Sequence, residues 1–410
     1  MIVSRVEKHI LKSNSEYYSM IDDFCLKAKN LYNYANYIIR QEFCLSNKWI
    51  RYSNLDSILK KDKDYPDYSN MSTAQSAQQI LRLLDKNWTS FFKSIKDWSK
   101  HKNKYLGRPK LPKYKSKNGR EILIMTNQNV RLKNNVLYFP KTFNGFTIQP
   151  HFINRTNFIS FQQVRFLPRN KHIVIEIIYN IEIPDLLNDN GRYLSIDIGV
   201  DNLSTITNNF NEAPVIVNGK GLKSINQYYN KSLAHYKSVT KMLNKKDYSN
   251  KQNKLTIKRN AKITDYLHKT SRFIVNYAKQ HSVSIIVIGH NKEWKQHSAL
   301  SKQVNQHFVQ IPFNTLIQQI QYKAEEFGIK VVLVEESYTS GTSFLDNELP
   351  IKENYDKSRR KHRGIFKSNN DILINADVNG AFQILKKVFP NAYANGIEAV
   401  VFQPIKVNFS

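Results

Sequence analysis

The stretch that decides the fold of this chain is LSIDIGVDNL, residues 194–203. Apolar residues lead into one carboxylate, Asp197, and a glycine-containing turn separates this run from a second one, LSTIT, at 203–207. The pattern predicts a buried strand with an acid in its middle, followed by a hairpin into a second strand. A buried carboxylate is costly unless a divalent cation or a set of backbone N–H groups offsets its charge. The remaining acids of the chain decide between these two partners.

Alternating helical and strand patterns follow this hairpin. The predicted elements are a strand at 214–217, a basic helical stretch at 221–281, a strand at 283–288, a helix at 312–327, a strand at 330–335 and a helix from about 376 to 388. Three strands in hairpin order followed by alternating helices and strands are typical of an RNase H-like mixed sheet. We expect this domain to span 191–410, after the turn-rich sequence NDNG at 188–191.

The first half of the chain predicts two kinds of structure. Residues 1–12 roughly alternate apolar and polar side chains and indicate a strand, whereas 13–100 show helical periodicity, with a helix capped by Ser72 or Thr73. Short period-two runs between 121 and 184 suggest a small β-barrel that the first strand could close. The predicted fold class is therefore α+β multidomain, with a barrel interrupted by a helical lobe and followed by the RNase H-like domain.

The charge of the chain indicates a polyanionic partner. It has 62 Lys and Arg against 33 Asp and Glu, a formal net charge of +29, and such one-sided charge favours binding to phosphate groups. Within 101–190 we interpret residues 101–120 as an extended basic linker and the remainder as the rest of the barrel. The alternative is a linker that is merely solvated. The linker side chains predicted to contact a nucleic-acid backbone are Arg108, Lys110, Lys113 and Lys115.

The cysteine content and the hydropathy of the chain indicate its cellular location. Cys25 and Cys44 both fall in an apolar helical pattern, so we expect core thiols in a reducing cytoplasm. Two cysteines are too few for a zinc site built on cysteine. No run of 18 apolar residues predicts a membrane span, and residues 1–12 lack the apolar segment of a signal peptide. We therefore expect a cytoplasmic protein without a membrane partner.

Two carboxylates lie where an RNase H-like fold brings strands and the last helix together. Asp197 is on the first strand, and Asp377, in NADVNG at 375–380, opens the final helix. Two-metal phosphodiester hydrolysis needs about three carboxylates around two ions ~4 Å apart, and Mg²⁺ prefers oxygen ligands. Asp377 also suits an ordinary helix N-terminus, and this role does not exclude metal binding.

Five motifs together resemble TnpB, the insertion-sequence-encoded family of RNA-guided nucleases that is related to type V CRISPR effectors. The motifs are SIDIGVDNL (195–203), IVIGHNKEWKQ (286–296), EESYTSGTSFLD (335–346), RGIF (363–366) and INADVNGAFQIL (374–385), and LPKYK (111–115) is also typical. The resemblance implies an OB-like wedge barrel and a helical recognition lobe that hold a guide RNA and read a short target-adjacent motif. A RuvC-type nuclease domain is implied to follow.

The resemblance assigns Asp197 as the first catalytic acid and Asp377 as the third. The second acid of the family ends the fourth strand, where this chain has Gly289. Glu335 and Glu336 are the nearest replacements, and because successive strand residues face opposite sides, only one can reach the metal. We prefer Glu336, keep Glu335 as the alternative, and regard Glu293 as a third choice. Asp197, Glu336 and Asp377 are thus the predicted ligands of two Mg²⁺ ions.

The insertion at 339–371 departs from the family as well. The family often carries a zinc ribbon there with two CxxC pairs, whereas this chain has Ser343 and Asp346 near the first pair and no cysteine in the region. We therefore expect no structural zinc. The basic residues that we expect near the target strand in this insertion are Arg359, Arg360 and Arg363.

The resemblance implies a specific function. We expect an endonuclease that uses a transposon-derived guide RNA to cut matched double-stranded DNA, acting as a monomer in a ribonucleoprotein associated with a prokaryotic nucleoid. Two alternatives stay open. One is a cleavage-inactive RNA-guided repressor, which is consistent with a glycine at 289 in place of the second acid. The other is a guide-independent resolvase or transposase with the same fold.

Overall fold

The chain forms two compact units, residues 1–182 and residues 183–410. The computed structural model describes residues 1–169, 171–244, 249–291, 310–362, 364–393 and 403–409. No helix in these ranges is long and apolar enough to cross a membrane.

The first unit contains seven described strands in two sheets. They are β1 (Ile2–Lys12), β2 (Leu123–Thr126), β3 (Arg131–Lys133), β4 (Val136–Tyr138), β5 (Thr147–Ile148), β6 (Phe158–Arg169) and β7 (His172–Glu182). One sheet has the order β1-β7-β6-β2 and the other the order β3-β4-β5. The first strand pairs with β7 over its whole length, so it does join strands that follow the helical region. The longest pairing in this sheet after that of β1 is between β6 and β7, with register shifts after Phe158 and after Phe161.

Three helices separate β1 from β2: α1 (Tyr18–Ser46), α2 (Tyr52–Lys61) and α3 (Ala74–Lys100). Thr73 caps α3, since its hydroxyl accepts a hydrogen bond from the Ser76 N–H at 3.1 Å. Sequence reasoning missed α2 because it is short and buries only two leucines. The expectation of two core thiols is wrong for Cys44, which is exposed, while Cys25 is buried. Cys44 lies outside the apolar stripe of α1, whose buried residues end at Ile39.

The basic segment 101–120 is held firmly on α1 and is not a free linker. The Lys115 N–H donates to Asn33 Oδ1 at 2.7 Å, and Asn33 Nδ2 donates back to the Lys115 carbonyl at 3.0 Å. Asn36 and Arg40 both donate to the Pro112 carbonyl, at 3.0 and 2.6 Å. The prolines keep the segment extended, as predicted, but side chains of α1 supply the partners for its backbone.

The second unit is organised around a mixed six-stranded sheet. Its strands are β8 (Tyr193–Asp197), β9 (Asn202–Asn208), β10 (Val215–Asn218), β11 (Ile285–Gly289) and β12 (Lys330–Val334); a separate hairpin of β13 (Ile365–Lys367) and β14 (Leu373–Asn375) precedes the sixth, β15 (Ile405–Val407). The order in the sheet is β12-β11-β8-β9-β10-β15. β8, β9 and β10 are antiparallel neighbours, whereas β11 and β12 run parallel to β8. The predicted hairpin order followed by parallel strands is therefore present.

Helices cover both faces of this sheet. They are α4 (Lys220–Asn244), α5 (Asn250–Gln280), α6 (Phe313–Glu325) and α7 (Ala376–Val388), so the helical stretch predicted at 221–281 is two helices, the second capped by Ser249. Ile286 and Ile288 of β11 pack in the core that contains α5 and α6, whereas Ile285 and Val287 pack against α7. Alternation along the strands thus directs every second side chain to α7.

Candidate functional site

Asp197 is the last residue of β8, so the acid lies at the end of its strand and not in the middle. Leu194 and Ile196 enter the core on the α5–α6 side. Ser195 faces α7, because its hydroxyl donates to the carbonyl of Ala381 at 2.7 Å. Asp197 is two residues further along the same face. A Cβ atom added to Gly380 would lie 3.0 Å from Asp197 Oδ2, so α7 passes directly over this carboxylate.

Gly289 ends the neighbouring strand and leaves room for another side chain. Ile288 pairs with Ile196, and Gly289 pairs with Val334 of β12. A Cβ atom on Gly289 would lie 2.7 Å from Cγ of Glu336 and 2.6 Å from Cδ1 of Ile384. The glutamate that follows β12 by two residues therefore occupies the space in front of the glycine. Its carboxylate reaches the end of β11.

Hydrogen bonds fix Glu336 in this place. Its N–H donates to Asn291 Oδ1 at 3.1 Å, and Asn291 Nδ2 donates to Glu336 Oε2 at 3.4 Å. Glu336 Oε1 is buried and has no hydrogen-bond partner among the described residues. Glu335, by contrast, is exposed, and its carboxylate accepts a hydrogen bond from the Ser337 hydroxyl at 3.1 Å. Glu293, the third choice for this acid, lies outside the described residues.

Asp377 occupies the first turn of α7. The side chain of Asn375 caps the helix and accepts a hydrogen bond from the Asp377 N–H at 2.9 Å. Asn202, the first residue of β9, donates to Asp377 Oδ2 at 2.6 Å, and Arg360 lies 3.7 Å from Oδ1. The acid therefore faces the β8–β9 hairpin on one side and the 339–371 insertion on the other.

The acids of the site influence one another electrostatically. Burial, and then the negative charge of Asp377, raise the pKa of Asp197, while Arg360 opposes the increase. Burial, and then the charge of Asp197, raise the pKa of Glu336, while Lys387 opposes it. In both groups burial, which disfavours the charged form, is the largest cause of the increase.

The oxygen atoms of these carboxylates are suitable ligands for a metal cation, but they do not surround one metal position completely. Mg²⁺ takes oxygen ligands and retains several waters, and a buried glutamate oxygen without a partner next to an aspartate suits it. Within the described ranges, however, no three His, Cys, Asp or Glu side chains converge so that they could hold one metal ion. Asp197 and Glu336 would hold the cation, and Asp377 is directed to Asn202 and Arg360 in this conformation.

The basic candidates of the first unit differ in their surroundings. Lys110 and Lys113 are exposed and line a groove of about 410 Å³ between segment 109–115 and α3. Arg108 lies 6.0 Å from the ring of Trp98. Lys115 is paired with Glu121 at 2.5 Å, so its charge already has a partner within the chain.

The basic candidates of the insertion also differ. Arg359 donates two hydrogen bonds to Glu348, at 2.7 and 2.8 Å, and is mostly buried. Arg360 is more exposed and faces Asp377. Arg363 lies outside the described residues.

Sequence reasoning did not identify three side chains that support the acids. They are Asn202, Asn291 and Lys387, whose ammonium group donates to the carbonyl and hydroxyl of Ser337, next to Glu336. The position of Asn202 in the hairpin after Asp197 was the one available signal. The other two are far from their partners in sequence and give none.

Two family models match parts of this chain. Residues 176–295 match OrfB_IS605, described as a probable transposase, and residues 313–384 match the TNB domain of Cas12f1-like proteins. The second match covers the insertion and most of α7. These matches confirm the resemblance to TnpB. No curated protein matches the chain significantly.

Solved structures show remote likeness over most of the chain. A Cas12f1–sgRNA–target DNA complex has 13% identity and a TM-score of 0.36, covering 93% of this chain and 98% of that one. A CRISPR-Cas12f ternary complex has 14% identity and a TM-score of 0.37, covering 90% and 82%. C2c1 of Alicyclobacillus acidoterrestris with single-guide RNA has 9% identity and a TM-score of 0.38, covering 91% and 67%.

Proposed function

We propose that this chain is an RNA-guided DNA endonuclease with a RuvC-type, Mg²⁺-dependent site formed by Asp197, Glu336 and Asp377. The observation that carries the proposal is the Glu336 carboxylate in the space beside Gly289, where the charge of Asp197 raises the pKa of Glu336. The sheet order and the two family matches support the same reading. An RNase H-like topology would bring these strand ends to one edge.

The residues of the site would divide the work as follows. Bound Mg²⁺ would supply Lewis-acid stabilisation of the charge that develops on the phosphodiester. Asp197 and Glu336 would hold the cation, and Asn291 would keep the Glu336 carboxylate in place. Asn202 would orient Asp377, and the exposed guanidinium of Arg360 would neutralise a phosphate that approaches Asp377.

The rest of the proposal concerns the nucleic acids. A guide RNA would base-pair with one strand of double-stranded DNA, so the protein itself would read mainly backbone shape and charge. Lys110 and Lys113 are the exposed cations that would contact a phosphate backbone. The wedge and lobe limits at 1–12, 13–100 and 101–190, the monomeric state and the nucleoid association remain predictions.

The test uses the ribonucleoprotein with RNA that co-purifies, a matched plasmid and Mg²⁺. Wild-type protein should linearise the plasmid, and Asp197→Ala should abolish cleavage while the RNA–DNA complex still forms. Cleavage by Asp197→Ala at the wild-type rate would contradict the assignment of the site. Sequencing the co-purified RNA should show one discrete species from an end of a mobile element.

A nuclease-inactive, RNA-guided repressor is the second candidate. It is favoured by the open arrangement of the acids, since no three of the described side chains converge on one ion position. A repressor would bind the matched plasmid through its RNA but yield no linear product with Mg²⁺. One family description reads probable transposase, and a transposase that needs no guide would still bind DNA after the RNA is removed.

A further inference from the structure

The side chain of Arg359 is engaged inside the 339–371 insertion. Its Nη1 donates to Glu348 Oε2 at 2.7 Å and to Oε1 at 2.8 Å, and its Nη2 donates to Asn369 Oδ1 at 2.7 Å. Only 17% of the Arg359 side chain and 16% of the Glu348 side chain are exposed. The planar guanidinium therefore meets its partners as a fork, which the point charge of a lysine cannot reproduce.

The groups that bind this guanidinium are themselves fixed. Glu348 Oε2 also accepts a hydrogen bond from the Ser343 N–H at 2.7 Å. The Asn369 N–H donates to Asp346 Oδ2 at 2.8 Å. One network thus joins chain segments 343–348, 359 and 368–369. Apart from short 3₁₀ turns and one hairpin, the described residues of 338–375 have no regular structure, so such a network decides their conformation.

The same segment holds helix α7 through its backbone. Asn379 donates to the carbonyl of Thr342 at 2.9 Å, and Gln383 donates to the carbonyl of Glu348 at 3.2 Å. Phe344 stacks on Phe382 with ring centroids 4.1 Å apart. Whatever orders 342–348 therefore also orients the helix whose first turn carries Asp377.

The residue after Arg359 faces the candidate active site. Arg360 lies 3.7 Å from Asp377 Oδ1 and is 40% exposed. Arg360 directly follows Arg359 in the chain, and the Arg359 side chain is held by three acceptor atoms. The bonds of Arg359 thus help to fix the position of Arg360, which is the arginine next to Asp377 among the described residues.

We infer that Arg359 is a positioning residue and does not bind nucleic acid. Its guanidinium donates from Nη1 to both carboxylate oxygens of Glu348 and from Nη2 to Asn369, and it thereby cross-links the insertion, holds α7 and its Asp377, and presents Arg360 to the site. This inference rests on the proposed nuclease function for its effect on cleavage, but not for its effect on the insertion itself. It replaces the expectation that Arg359 contacts the target strand.

The test compares Arg359→Lys with wild type, and Lys352→Gln is the matched control because Lys352 is an exposed cation of the same insertion. Arg359→Lys keeps the charge but loses the fork. We expect its single-turnover cleavage rate at saturating Mg²⁺ to fall by about tenfold or more, since small displacements of catalytic groups are costly. The affinity for matched DNA and its salt dependence should stay within about twofold of wild type.

A phosphate contact would behave differently. Arg359→Gln would then weaken DNA binding and lower the slope of log K against log salt by about 1, with an unchanged cleavage rate at saturating DNA. That result would overturn the inference.

Limited proteolysis supplies a measurement that does not need a nuclease. In wild type and in Lys352→Gln the insertion should resist cleavage between 343 and 371, whereas in Arg359→Gln it should be cut at least about tenfold faster. Equal protection in all three proteins would refute the cross-link. If wild type never cuts DNA yet the proteolysis pattern appears, the proposed function fails and the cross-link stands.

Discussion

Gly289 and Glu336 use the same space at the edge of the sheet. A Cβ atom on the glycine would lie 2.7 Å from Cγ of the glutamate, and both residues are beside the end of β8, which carries Asp197. In the proposed nuclease, the acid needed at the end of β11 would thus be supplied from beyond β12. Coordination of a metal ion depends on the position of the carboxylate oxygens and not on which strand carries the residue.

The glycine itself is therefore testable. Gly289→Ala should lower the free energy of unfolding by about 1–3 kcal/mol, since the added methyl group meets Glu336 and Ile384 in a packed region. It should also lower the cleavage rate by about tenfold or more, because Glu336 must move. Chemical denaturation and plasmid linearisation measure the two effects. Unchanged values for both would show that Glu336 does not occupy this space in solution.

Moving the acid back to β11 is a sharper version of the same test. The double variant Gly289→Glu with Glu336→Gly exchanges the carboxylate and the space it fills. We expect it to cut faster than either single variant, because each single change leaves two carboxylates or none at the strand end. A double variant no better than both single ones would argue that Glu336 does not act as the second acid.

The two neighbouring glutamates should respond differently to loss of charge. Glu336→Gln should lower cleavage by about 100-fold or more, since it removes a proposed metal ligand and keeps the shape. Glu335→Gln should stay within about twofold, because this side chain is exposed and bonded to Ser337. Time courses with one batch of guide RNA measure both. The opposite ranking would assign the site to Glu335.

The metal-free protein should lose stability as the pH rises. Burial is the larger cause that raises the pKa of Asp197 and of Glu336 in the folded state, and a neighbouring carboxylate adds to it, Asp377 for Asp197 and Asp197 for Glu336. The folded protein then binds more protons than the unfolded chain above pH ~4, so the free energy of unfolding decreases from there up to neutral pH. Asp197→Asn should remove much of this decrease. Thermal unfolding in EDTA between about pH 5 and 8 measures this decrease in stability.

Magnesium should reverse that loss. A ligand that binds only the folded state stabilises it in proportion to the logarithm of its concentration. Excess Mg²⁺ at pH 8 should therefore raise the unfolding temperature of wild type by about 2 °C or more and leave Asp197→Asn unchanged. An equal shift in both proteins would place the bound cation somewhere else.

Lys113 and Lys115 lie two residues apart and should give opposite results. Lys113→Gln should weaken binding to nucleic acid and lower the salt slope by about 1, since its side chain is exposed in the groove. Lys115→Gln should instead destabilise the first unit, because it leaves the mostly buried Glu121 without its 2.5 Å partner. Filter binding at several salt concentrations and thermal unfolding separate the two. A reduced salt slope for Lys115→Gln with unchanged stability would contradict this distinction.

The sequence by itself determined most of the elements and two of the candidate acids. Periodicity and capping act over a few residues, so the strand before Asp197, the parallel strands and the helix that starts at Asp377 could be predicted from their own letters. Only the tertiary structure decided which of two adjacent glutamates fills the space at Gly289, and that Lys115 and Arg359 have partners within the chain. These outcomes depend on contacts between residues far apart in sequence, and no local pattern encodes which side chain reaches which space.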